Sequence, residues 1–180
     1  MKKFLTILAL AAVCTTASAQ VLEKASQRLE LTTLETELGG FETASLEVFK
    51  MNDTGTYWLS VGHLGIGTDL LQLQFDPVYE LFIPLGDSLE EAVEKMNELK
   101  AFYKKPRLSE MQIDGCLAAL YPGENFEPVT VTSRRLLATK ILSFSVKRDD
   151  LVRATYITKA DFGSLVLGLK SYKALHPKEK

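Results

Sequence analysis

The chain has 180 residues, 46% of them hydrophobic, with 21 Lys and Arg against 23 Asp and Glu and a formal net charge of −2. This length suits one ordinary domain, and the overall acidity disfavours nucleic-acid binding. Its two cysteines are Cys14, close to the N-terminus, and Cys116. If the N-terminal segment is removed, no internal disulfide can form.

Residues 1–19 have the pattern of a cleaved secretory signal peptide. Two lysines precede an apolar run, Phe4–Val13, and the small residues Ala17–Ala19 supply a cleavage site before Gln20. Bulky Val13 directly precedes Cys14, which argues against a lipoprotein site. We therefore expect export to the periplasm or the cell exterior, and a small exported domain without disulfides favours a bacterial source.

The remaining sequence predicts one α+β domain over residues 20–176, followed by a disordered tail at 177–180. No later segment is long and apolar enough to cross a membrane. The first predicted strand is Arg28–Glu37, where apolar and polar residues alternate. The next two form a hairpin over residues 45–61, turning at Asn52–Gly55, where the glycine suits a positive φ.

Within this hairpin, Tyr57 and Trp58 point to opposite faces, and we expect Trp58 to be the core residue. The following loop, residues 62–68, contains three glycines and His63. Its glycine order matches neither a dinucleotide fingerprint nor a P-loop. We interpret it as a connection to another strand, Leu70–Phe75.

A strand followed by an amphipathic helix occupies residues 79–106 and forms the centre of the predicted fold. Apolar residues recur at three-and-four spacing from Leu89 to Phe102. Ser88 and Glu91 have the spacing of a capping box, and Pro106 follows the end of the helix.

The second half of the chain has a similar order of elements. The strands are predicted at residues 111–120, 128–134, 140–147 and 151–158, and Asp161 is the expected cap of a second helix. Gly163 and Gly168 lower the helix propensity of that segment, and we expect them to permit close packing on a sheet.

These patterns predict a mostly antiparallel sheet with two amphipathic helices packed on one face. They also suggest two pseudo-repeated units, each with several strands followed by one helix. Residue identity between the units is poor, so the repeat is a matter of architecture.

Charge is distributed unevenly between the halves. Residues 20–100 contain 5 basic and 15 acidic residues, whereas residues 101–180 contain 14 basic and 8 acidic ones. Ion pairing between the packed halves accounts for this asymmetry without any ligand. The alternative is a basic face for an anionic ligand or partner protein. Its candidate residues lie on neighbouring predicted strands: Arg134, Arg135, Lys140, Lys147 and Arg153.

The residues suited to catalysis are few. Cys116 and His63 could form a thiol–base pair if they met in space, but no local motif supports this and free cysteines are usually buried. Dispersed carboxylates could also support hydrolysis. The supply of His and Cys is too small for a typical zinc site, and we predict no metal, no cofactor and no catalytic residue. The favoured hypothesis is an exported, non-enzymatic binding or accessory protein, and the alternative is a small secreted hydrolase.

Overall fold

The computed structural model describes residues 28–38, 41–62, 65–66, 81–118, 127–136, 138–148 and 151–177. These ranges contain nine strands and two helices. In chain order they are β1 Arg28–Leu38, β2 Phe41–Met51, β3 Tyr57–Val61, β4 Gly65–Ile66, β5 Leu81–Gly86, α1 Leu89–Phe102, β6 Glu110–Ala118, β7 Glu127–Leu136, β8 Thr139–Arg148, β9 Leu151–Thr158 and α2 Lys159–Leu175.

The strands form one sheet in the order β1-β2-β3-β5-β6-β7-β8-β9-β4, and every pairing is antiparallel. Apart from the two-residue β4, each strand pairs with its neighbour in sequence. β4 instead pairs with β9, at the edge opposite β1. The predicted α+β class with a mostly antiparallel sheet is therefore confirmed.

The hydrophobic core combines alternate strand residues with the apolar stripes of both helices. In β8, for example, Leu142, Phe144 and Val146 are buried in the core, as period-two alternation requires. Helix α1 contacts β5, β3 and α2, whereas α2 contacts β1 and β2 as well as β8 and β9. Because α2 reaches strands near both edges of the sheet, this helix links the first and last strands.

Helix α1 has the predicted buried stripe: Leu89, Ala92, Met96, Leu99 and Phe102. Ser88 is the N-cap, and its Oγ accepts a hydrogen bond from the Glu91 backbone N at 3.2 Å. The Glu91 carboxylate reaches back to the Asp87 N, 2.7 Å away, one residue earlier than in a standard capping box. The helix is thus capped by the predicted pair in a slightly shifted geometry.

The predicted cap of the second helix was wrong. Helix α2 begins three residues earlier, with Thr158 as N-cap, and the Thr158 hydroxyl accepts a hydrogen bond from the Asp161 N at 3.2 Å. The Thr158 hydroxyl also donates to the Asp161 carboxylate. The last strand residue therefore caps the helix directly, and no connecting loop is needed.

Three further details of the strands differ from or refine the sequence prediction. Tyr57 is the core residue of β3, whereas Trp58 lies on the other face, half-buried, and donates from Nε1 to the Thr56 hydroxyl at 2.8 Å. In β6, Gly115 has φ +75° where the register with β7 shifts, so the glycine forms a bulge within the predicted strand. The predicted connection at residues 62–68 contains a short strand that the sequence did not indicate, because Gly65–Ile66 forms β4 and pairs with β9. His63, the predicted signal peptide, the strand at 70–75 and the last three residues of the tail lie outside the described residues.

Met96 tests the α1 stripe because its side chain is fully buried at the centre of the helix. Met96→Asp places a charge in this core and should cost about 3 kcal/mol or more of unfolding free energy. Ala101→Asp adds the same charge at an exposed position of α1 and should cost about 1 kcal/mol or less. Thermal melting measures both, and equal midpoints would contradict the core position of Met96.

The two glycines of α2 should respond oppositely to alanine. A Cβ at Gly168 would lie 3.1 Å from the Thr32 Cβ and even closer to its hydroxyl, whereas one at Gly163 would meet only the Lys100 side-chain end at 3.6 Å. Gly163→Ala should therefore raise stability by about 0.5–1 kcal/mol through helix propensity. Gly168→Ala should lower the melting temperature, since α2 must move away from β1. A higher melting temperature for Gly168→Ala would show that this close approach is unimportant.

Candidate functional site

The five basic residues singled out in the sequence do not share one surface. Arg135 pairs with Lys140 across β7 and β8, on the face that continues to the core, while Arg134 lies on the opposite face. Lys147 lies seven residues along β8 from Lys140, about 23 Å away at the usual strand rise. By register with Val146, Arg153 also lies near that far end; its side chain is outside the described residues.

Arg134, Arg135 and Lys140 instead join basic residues from other elements at one end of the sheet. The β7–β8 hairpin ends here, α1 finishes here and α2 begins here. We call this end of the described structure the basic end, and define it by seven exposed side chains, which come from both faces of the sheet and from the helix ends: Lys104, Lys105, Arg107, Arg134, Arg135, Lys140 and Lys159. The anionic-ligand prediction for Arg134, Arg135 and Lys140 stays a prediction, now placed within this larger group.

The segment after α1 is fixed to β7 by three hydrogen bonds. Leu108 N donates to the Ser133 carbonyl at 2.8 Å, and Ser133 N donates to the Ser109 carbonyl at 2.9 Å. The Ser133 hydroxyl donates to the Lys105 carbonyl at 3.4 Å. Lys104, Lys105 and Arg107 are therefore carried on a segment whose backbone lies beside β7.

A second set of hydrogen bonds joins the end of α1 to β8 and β9. The Tyr103 hydroxyl donates to the carbonyls of Ile157 and Thr158, at 2.9 and 3.0 Å. Lys140 Nζ donates to the Tyr103 carbonyl at 3.2 Å. Burial, with a smaller contribution from the charge of Asp161, raises the pKa of Tyr103 well above its usual range. The phenol therefore stays protonated and continues to donate at neutral pH.

Acidic residues are few where these elements meet. Glu110 begins β6 opposite Thr132, and Asp161 is occupied with the Thr158 hydroxyl at the start of α2. None of the seven basic side chains makes an ion pair within the described residues. The basic end is thus a concentration of positive charge with little local neutralisation.

Acidic residues lie along one side of α1. An open groove of about 460 Å³ runs beside the helix from its first turn as far as Glu98, lined by Leu85, Gly86, Glu91, Glu94, Lys95 and Glu98. Beside it, Lys173 of α2 pairs with Glu90 of α1 at 2.9 Å. This contact joins the basic and acidic halves of the chain, as the pairing interpretation requires, and it leaves the basic end uninvolved.

Cys116 is buried and lacks the properties of an active thiol. Its Sγ donates to the Ile113 carbonyl at 3.4 Å, and burial raises the pKa of the thiol to about 11. A thiol with that pKa is almost entirely protonated at neutral pH, so the thiolate needed for nucleophilic attack is scarce. The other member of the predicted pair, His63, lies outside the described residues.

Lys104, Lys105, Arg107 and Lys159 were not among the sequence candidates. In the sequence, Lys104 and Lys105 simply follow the last turn of α1, where cations complement the helix dipole. Only the pairing of Ser133 with the segment after α1, and of Ile141 with Thr158, brings these residues beside Arg134, Arg135 and Lys140. Predicting this group of residues from the sequence would have required the order of the strands in the sheet.

Comparisons of this chain with protein-family models, with curated proteins and with solved structures found no match. Within the described ranges, no group of three His, Cys, Asp or Glu side chains is placed to hold a metal ion. Neither described helix has the length and apolar character needed to span a bilayer.

The protonated state of Cys116 predicts slow reaction with a thiol reagent. At pH 7.5 the native protein should be labelled about a hundredfold more slowly than the unfolded chain, whose thiol has an ordinary pKa. The native rate should rise with pH up to about 11. Cys116→Ser measures the background from any Cys14 that is retained. Rapid native labelling at neutral pH would contradict this assignment and favour an activated thiolate.

Proposed function

We propose that this chain is an exported, non-enzymatic binding protein whose basic end binds an anionic partner. The observation that carries the proposal is the convergence of seven exposed basic side chains from four parts of the chain. These parts are the segment after α1, the two strands of the β7–β8 hairpin and the start of α2. The signal-peptide pattern of residues 1–19 supports export.

A binding role is favoured over hydrolysis by two features of the described residues. The Cys116 thiol is buried and protonated, and the groove beside α1 is open to solvent rather than a deep cleft. Charge at an exposed surface, by contrast, is sufficient for attracting and orienting an anionic partner.

We also propose that residues 20–176 form a single domain built from two units of the same plan. The first unit would contain β1, β2, β3, β5 and α1, and the second β6, β7, β8, β9 and α2. Sheet order supports this, since each group of four strands is contiguous in the sheet and is followed by one helix. In this arrangement the two helices lie together on one face, in accordance with their mutual contact and shared core.

Retention on a heparin-like matrix tests the anionic partner. Replacing Arg134 and Arg135 with Gln should lower the salt concentration needed for elution, because two cations that attract the matrix are lost. Salt competes with this attraction because exposed charges act over only about 10 Å at 0.1 M salt. The matched control replaces Lys147 and Lys170 with Gln. Both lysines are exposed and lie away from the basic end. It removes the same charge and should elute close to the wild type.

Melting temperatures should change little in either double variant, as is usual for surface substitutions. Equal shifts in elution for the two variants would mean that retention follows net charge and not the basic end. A wild-type protein that passes through the matrix at low salt would overturn the proposed function.

A further inference from the structure

The basic end also exposes apolar side chains. Leu108 and Leu136 have exposed fractions of 61% and 45%, and both lie among the basic residues. Leu108 directly follows Arg107, and Leu136 directly follows Arg135. Single exposed leucines are common on protein surfaces, so the significance of this pair depends on its position and its backbone.

Leu108 is held outward by an unusual backbone. Its φ is +65°, and it is the one non-glycine residue of the described chain with positive φ. This left-handed conformation is strained for a residue with a Cβ. Hydrogen bonds from Leu108 N to Ser133 and from Ser109 N to Pro106 hold the turn. The chain therefore keeps an apolar side chain at a position where glycine or asparagine would be less strained.

Leu136 lies at the end of the β7–β8 hairpin, paired with Thr139. It is three residues beyond Ser133, about 10 Å at the usual strand rise, and the Ser133 carbonyl accepts the hydrogen bond from Leu108 N. Arg135 and Lys140 form the next pair of the ladder behind the hairpin end. By strand alternation Leu136 shares its sheet face with Arg134, and the Arg135–Lys140 pair lies on the other face. Exposed leucines and cations therefore occur together at this end of the sheet.

This combination matches the chemistry of a bilayer interface better than that of a soluble polyanion. A lipid surface offers negative headgroups that attract lysine and arginine, and an acyl boundary that leucine can enter. A sulfated or phosphorylated polymer would engage the cations and leave both leucines in water. We propose that the basic end docks peripherally on an anionic phospholipid surface, with Leu108 and Leu136 entering the interface. This inference rests on the proposed function of binding an anionic partner.

Vesicle binding tests this proposal with protein recovered after export, so that every variant has the same N-terminus. The probe is a vesicle of phosphatidylglycerol and phosphatidylcholine, compared with one of phosphatidylcholine alone. Wild type should co-sediment with the anionic vesicles only. The variant Leu108→Asn with Leu136→Thr keeps backbone conformations suited to each site, and it should lose about tenfold in partitioning because two apolar side chains no longer enter the interface.

The matched control is Leu167→Gln with Leu175→Gln, which removes two exposed leucines of α2, with exposed fractions of 65% and 78%. It should bind vesicles like the wild type. Both leucine variants should keep wild-type elution from the heparin-like matrix, because no charge has changed. Melting temperature confirms that each variant is folded.

The other outcomes separate the two proposals. Vesicle binding that is unchanged in the Leu108/Leu136 variant, or equally reduced in the α2 control, would overturn docking through these leucines and leave the anionic-partner function standing. A wild type that is retained by the polyanion matrix but ignores anionic vesicles would overturn the membrane proposal in favour of a soluble polyanion or an acidic protein. A wild type that is neither retained by the heparin-like matrix nor bound to anionic vesicles would overturn the proposed function itself.

Discussion

The hydroxyl of Tyr103 provides the contact on which the arrangement of the basic end depends. It connects the last turn of α1 to the end of β9, 54 and 55 residues later in the chain. Because these carbonyls lie where a strand passes directly into a helix, the phenol supplies them with a donor at a point where regular pairing ends. With Lys140 bonded to the Tyr103 carbonyl, the end of one helix and the start of the other are joined through one residue.

That junction also explains why charge collects at this place. A helix C-terminus favours cations, whereas the first turn of a helix disfavours them. Lys159, at the start of α2, is exposed, so water and salt screen this unfavourable interaction. The antiparallel ladder then brings the end of the β7–β8 hairpin to the same level, through the pairs Arg135–Lys140 and Ile141–Thr158. Each basic residue is locally ordinary, and it is their convergence that creates a surface suited to binding.

The sequence predicts local structure here far better than it predicts the site. Periodicity identified α1 and most strands because each signal, such as the Leu89–Phe102 stripe, is contained within a short segment. Thr158 was not predicted as the N-cap of α2 because the alternation of β9 assigns it to the strand, and one residue here both ends the strand and caps the helix. Trp58 was expected in the core because adjacent strand residues face opposite ways and tryptophan is usually well buried, but Tyr57 is the buried residue. The basic end required the order of strands in the sheet, which no local pattern in this chain specifies.

The separation of charge along α1 affects how the molecule approaches a surface. Helix α1 is about 21 Å long, with Glu90, Glu91 and Glu94 in its first two turns and the basic end beyond its C-terminus. These described charges produce an electric dipole along α1, in addition to the chain's small net negative charge. In the field of an anionic surface, this dipole produces a torque that rotates the molecule before contact, within about one Debye length. Orientation during approach, and not only affinity after contact, is then determined by the positions of these charges.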